Sequence, residues 1–150
     1  MVAQAVQQYA NELMEEALKS TQDNSIFSGD GRYPIRRNAS HCSFDIINTD
    51  TYKVVALGIV DKISFYHPEE DFELTSNILE TEAMKRALNQ ISPYKEKVSS
   101  FVIDGDNKNK KLLEGEQYTI FRDQNHLIKS FNKYLDKEFF IGKQKKLLME

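Results

Sequence analysis

The chain has a single cysteine, Cys42, in 150 residues. That excludes an internal disulfide and any cysteine-based zinc cluster, and it fits an intracellular, reducing compartment. No apolar run approaches the roughly 20 residues that a membrane helix requires. The N-terminus, Met1-Val2-Ala3-Gln4, lacks the basic-then-apolar pattern of a secretory signal. The sequence thus predicts a protein that is neither secreted nor membrane-embedded. Also missing are a phosphate-binding glycine loop, a nucleophile elbow and a dinucleotide fingerprint. An excess of basic charge is absent too: the formal net charge is -3, whereas nucleic-acid binders usually present a basic surface.

What is present is enough for one domain with a real core. The chain is 40% hydrophobic and 11% aromatic, which excludes a disordered polymer. Its basic residues are clustered. Arg32, Arg36 and Arg37 follow Gly29-Asp30-Gly31; Lys108, Lys110 and Lys111 follow Asp104-Gly105-Asp106; Lys143, Lys145 and Lys146 lie in the tail. Basic groups beside an acidic site suit an anionic substrate such as phosphate, so Arg32, Arg36, Arg37 and Lys108 are candidate DNA contacts. The competing assignment is a solvated lysine and arginine surface.

Periodicity orders the chain. Val6, Tyr9, Ala10, Leu13, Ala17 and Leu18 predict an amphipathic helix over 2–19 that packs on a sheet. Strands are expected at 26–30, 41–47 and 53–60, joined as an antiparallel meander. The run Val54-Val55-Ala56-Leu57-Gly58-Ile59-Val60 suits a strand covered on both faces. A polar loop containing His67 and Pro68 leads to a helix over 77–91, started at Ser76 and closed by Pro93. A strand over 98–103, a short helix over 108–114, a strand over 118–121 and a last helix over 124–139 complete the chain. Residues 1–24 form a leading helix and linker, 25–140 the core, and 141–150 a basic tail. Three antiparallel strands followed by alternating helix and strand is the ribonuclease-H-like order, an α/β fold with a mixed five-stranded sheet.

In that order the fourth strand lies parallel beside the first. Ile26-Phe27-Ser28-Gly29-Asp30 and Phe101-Val102-Ile103-Asp104 each carry an aspartate to a strand end, and the two carboxylates meet there. Paired carboxylates are hard oxygen ligands for a divalent cation, and metal-assisted phosphoryl transfer needs such a site. Gly29 and Gly31 are expected to let the backbone turn sharply and leave room for a phosphate chain. Each aspartate also has a local assignment, since Gly-Asp-Gly and Asp-Gly are ordinary turn sequences; the element order favours the shared site. Asp123, His126 and Lys129, at the passage from last strand to last helix, form a candidate accessory trio for metal or phosphate. Asp123 as a helix cap is the alternative. His41 and His67 stand alone and read as structural. An EF-hand over 104–115 fails, because Gly115 stands where the bidentate glutamate belongs.

Four stretches resemble mutator-like transposases. They are Gly29-Asp30-Gly31-Arg32 with Ala39 to Val55; Ser76 to Leu88; Val102-Ile103-Asp104; and Phe121-Arg122-Asp123-Gln124-Asn125-His126-Leu127-Ile128-Lys129. Together they cover roughly 25–135. The resemblance implies a ribonuclease-H-like core with an Asp-Asp-Glu triad that uses magnesium or manganese to cut and join transposon ends. Asp30 and Asp104 match the first two acids. The loop Tyr33-Pro34-Ile35-Arg36-Arg37 departs from the family's small, glycine-bearing one. The family's third acid lies well beyond the histidine motif, and Glu138 and Glu150 match no motif.

The expectation is therefore a partial transposase catalytic domain, inactive as this fragment, acting on DNA in the nucleus or another DNA-containing compartment. Homo-oligomerisation is left open. Two alternatives stand beside it: a non-catalytic ribonuclease-H-like module binding DNA or protein, and a nuclease of another ribonuclease-H-like family with its third acid within this chain.

Overall fold

The structure is a computed structural model and describes residues 2–34, 39–62, 76–104, 107–116, 118–125, 128–129 and 132. The elements are α1 (Val2–Lys19), β1 (Ser25–Arg32), β2 (His41–Asn48), β3 (Lys53–Asp61), α2 (Ser76–Ile91), a 3-10 helix (Ser92–Lys97), β4 (Val98–Ile103), α3 (Asn107–Gly115) and β5 (Thr119–Arg122). The last helix expected over 124–139 and the loop around His67 lie largely or wholly outside the described residues.

One five-stranded sheet runs in the order β3-β2-β1-β4-β5. The β1–β2 and β2–β3 pairs are antiparallel, whereas β4 is parallel to β1 and β5 parallel to β4. This is the ribonuclease-H-like α/β arrangement that the element order predicts.

Alternation along each strand builds the core. Phe27 on β1, Phe44 and Ile46 on β2, Val60 on β3 and Phe101 on β4 are all buried, and Leu79, Met84 and Ile91 of α2 are buried with them. The Phe27 and Phe101 rings meet edge to face at 5.9 Å, and Tyr118 extends the contact to Phe101 at 4.9 Å. Helix α2 crosses β3 at Gly58. A Cβ there would come within 1.8 Å of the Ala83 carbonyl oxygen, so backbone meets backbone. Ala83 and Ala87, one turn apart on α2, keep that approach open.

The β2–β3 hairpin turns on Asn48. Its Oδ1 accepts from the Asp50 and Thr51 amides at 2.9 and 3.3 Å, an Asx turn. Tyr52 completes the loop with φ 56°.

Three expectations are corrected. First, β3 is an edge strand and is not covered on both faces: Val54 and Ile59 are 43% and 48% exposed. Its apolar run reflects α2 on one side and only partial cover by α1. The outward backbone of β3 is instead met by α2 side chains. Gln90 accepts from the Leu57 amide at 3.2 Å and donates to the Leu57 carbonyl at 2.8 Å, while Arg86 donates to the Ile59 carbonyl at 2.8 Å. These contacts occupy an edge that would otherwise be a template for another strand. Second, Gly29 and Gly31 do not turn the chain. Neither has a positive φ, and β1 continues through both to Arg32. Third, α1 packs on β3 as expected, but only through its C-terminal half, where Ala17 and Leu18 are buried and Lys97 caps the helix end by donating to the Lys19 and Thr21 carbonyls at 3.1 and 3.0 Å.

Candidate functional site

Two groups of side chains flank the end of β1. On the face away from α2, Asp30 is exposed, because alternation sends its neighbours Gly29 and Gly31 toward the core side. Residues Phe27 and Ser28 pair with Phe101 and Val102 of β4. The pairing ends there; Asp30 lies two residues further along β1, and Asp104 is the residue that follows β4. On the other flank Asp30 is the direct partner of Asp45 on β2. Asp30 and Asp45 therefore stand side by side on one face of the sheet. Arg32 Nε lies 3.1 Å from Asp45 Oδ2 and offsets part of that charge.

On the core-facing side, the glycines make room. A Cβ on Gly29 would strike the Phe44 ring at 2.6 Å, and one on Gly31 would strike Glu80 Cδ at 2.7 Å. The Glu80 carboxylate thus fills the space beside Gly31, one residue from Asp30. Tyr33 donates its hydroxyl to Glu80 Oε2 in a short hydrogen bond, and Asn109 Nδ2 donates to Oε1 at 2.8 Å. Asn109 is buried, and its Oδ1 is the buried side-chain polar atom without a partner among the described residues. Burial, the hydrogen bond to Glu80 and the Glu80 charge hold the Tyr33 phenol far above its ordinary range. Burial and the Glu80 charge push the neighbouring Cys42 thiol up to about 11. Cys42 is therefore an inert thiol.

Other sequence-predicted residues are dispersed or lie beyond view. Asp123 donates its amide to the Ile103 carbonyl at 2.8 Å, extending the β4–β5 pairing, and accepts from the Asn125 amide at 2.9 Å. The second contact is the capping role foreseen as the alternative. Lys129 is exposed. His126, Arg36, Arg37 and the side chain of Lys108 lie outside the described residues, as do Glu138 and Glu150. His41 is exposed at the start of β2.

Among the described residues no three His, Cys, Asp or Glu side chains are gathered closely enough to hold a metal ion. Asp30, on β1, and Asp104, just past the neighbouring β4, are carboxylates, the donor type that a hard divalent cation takes. Sequence reasoning missed Glu80, Tyr33, Asn109 and Asp45. Glu80 was visible only as part of the start of α2, Asp45 as the outward residue of an alternating strand, and Tyr33 as an oddity of the loop after Gly-Asp-Gly-Arg.

The sheet order and the acidic ends of its parallel strands define an α/β protein of ribonuclease-H-like architecture. No family model matches the sequence, and no curated protein matches it. Among solved structures the chain is similar to LC11-RNase H1, isolated from compost by a metagenomic approach: 14% identity, TM-score 0.43, covering 79% of this chain and 99% of that one. An overlap at that level assigns no residue a role. No helix among the described residues is long and apolar enough to cross a membrane.

Proposed function

We propose that the chain is a divalent-metal-dependent phosphoryl-transfer domain acting on nucleic acid, with Asp30 and Asp104 as the paired metal ligands. The observation that supports this reading best is that β1 and β4 are adjacent parallel strands, paired through Ser28 and Val102, with Asp30 two residues further along β1 and Asp104 following β4. Magnesium or manganese bound there would supply Lewis-acid stabilisation of charge on a phosphate oxygen. The chain's own contribution is to fix the two carboxylates on strands and to present Arg32 beside them as a cation for the substrate backbone. The finer reading, a mutator-like transposase core acting on transposon DNA ends, rests on the sequence resemblance over 25–135 and places the third acid outside this chain.

A second reading is favoured by Glu80. Its carboxylate lies beside Gly31, held by Tyr33 and Asn109 with acceptor sites left over. With its third acid within this chain the protein would be a nuclease in its own right, and Glu80 qualifies only if it reaches round the end of β1, since it lies on the α2 side of the sheet and Asp30 on the other. Cleavage assays on labelled duplex DNA, single-stranded DNA and RNA–DNA hybrid, with magnesium or manganese, separate the two. Cleavage that is lost in Glu80→Gln, Asp30→Asn and Asp104→Asn supports the nuclease. Metal binding without cleavage supports the transposase fragment. Neither metal binding nor cleavage would sink both.

A further inference from the structure

We propose that α1 is the seam of a homodimer, in which two copies of this chain pair antiparallel about a twofold axis. The helix is fixed only at its C-terminal end, by burial of Ala17 and Leu18 and by the Lys97 cap. Before that point Val2, Val6, Tyr9 and Leu13 are 80%, 63%, 63% and 47% exposed. Their spacing of four, three and four residues is the alternation of a coiled-coil seam. Ala3, Ala5 and Ala10 flank it, so a second helix can approach closely. Beside the seam, Leu13, Met14 and Ala17 of α1 and Val54 and Leu57 of β3 line a mostly apolar groove of about 450 Å³, with Glu16 and Lys53 also lining it. A continuous apolar surface of this kind marks an interaction site.

Charge selects the occupant. Residues 2–11 carry no charged side chain, while Glu12, Glu15 and Glu16 crowd the following turn. A parallel pair would set these glutamates against their own copies. An antiparallel pair sends them to opposite ends, each toward the other helix's N-terminal turn, where unsatisfied amides favour negative charge. In that register Val2 meets Leu13 of the partner subunit and Val6 meets Tyr9 of the partner subunit. The contact is isologous, as a closed dimer requires. A membrane surface fits poorly, since the helix has Lys19 as its one basic residue. Strand addition at β3 is opposed by the Gln90 and Arg86 contacts.

Sedimentation equilibrium of the chain over a concentration series tests this. The expected result is a concentration-dependent species of twice the chain's mass, with a dissociation constant at least tenfold lower in wild type than in Val6→Glu/Tyr9→Glu. Thermal unfolding of the variant should match that of wild type at concentrations where wild type is monomeric, because both side chains are exposed in the single chain. A chain monomeric at every concentration overturns the proposal. The register has its own readout. Under oxidation Val2→Cys mixed with Leu13→Cys should give a crossed disulfide dimer, and Val2→Cys alone should not. A Val2→Cys homodimer would overturn the antiparallel arrangement. None of these variants touches the acidic strand ends, so the outcome is separable from the proposed nuclease chemistry.

Discussion

Glu80 occupies the space that a side chain on Gly31 would need, with Glu80 Cδ 2.7 Å from the Cβ position. Because β1 is ordinary extended strand at this point, Gly31 is a matter of room and not of backbone freedom. Gly31→Ala should push Glu80 off its Tyr33 and Asn109 donors and destabilise the fold by about 1–2 kcal/mol, the scale of broken part-buried hydrogen bonds. In a Glu80→Ala background, with the carboxylate gone, the same substitution should cost much less. A double-mutant cycle by urea unfolding measures the coupling.

Gly58 presents the harder version of the same problem. The atoms in its way are the Ala83 carbonyl and the Ala87 amide, part of the α2 backbone, and no rotamer change can move them. Gly58→Ala should cost about 3 kcal/mol or more, at the upper end of overpacking penalties. A fall in the denaturant midpoint at unchanged slope reads it.

How much of this could be read beforehand differs by feature. The strand order was legible because three apolar strand-like runs with short connections, followed by alternating helix and strand, leave few topologies. The parallel pairing of β1 with β4 followed from that order. Glu80 was hidden because its partners, Tyr33 and Asn109, come from a loop and from α3, and no spacing in the chain links them. The edge position of β3 was hidden for a related reason. An apolar run looks the same whether a strand is covered twice, or covered once with Gln90 and Arg86 guarding its edge.

The Tyr33–Glu80–Cys42 cluster predicts alkaline sensitivity. Both Tyr33 and Cys42 bind their protons more tightly folded than unfolded. Their contribution is therefore fully present below the unfolded pKa values, near 9 for the thiol and 10 for the phenol, and is lost as pH rises beyond them. For Cys42 the loss runs from about 9 to about 11. Stability measured by urea unfolding should fall steadily from pH 8.5 to 10.5, and Cys42→Ala with Tyr33→Phe should flatten that slope.

Tyr52 holds φ 56° at the hairpin tip while 86% exposed. A bulky L-residue in the left-handed region costs roughly 1–2 kcal/mol, and glycine returns part of that gain as chain entropy. Tyr52→Gly should raise stability by about 0.5–1 kcal/mol, seen as a higher melting temperature in calorimetry.

The proposed function depends most on Asp30 and Asp104 sharing a metal. Isothermal titration of manganese into the chain measures this directly. The predicted result is a binding isotherm in wild type that is lost, or at least tenfold weaker, in Asp30→Asn and again in Asp104→Asn, with folding by circular dichroism unchanged. A wild-type chain that binds no manganese, or variants that bind it as well as wild type, would contradict the site.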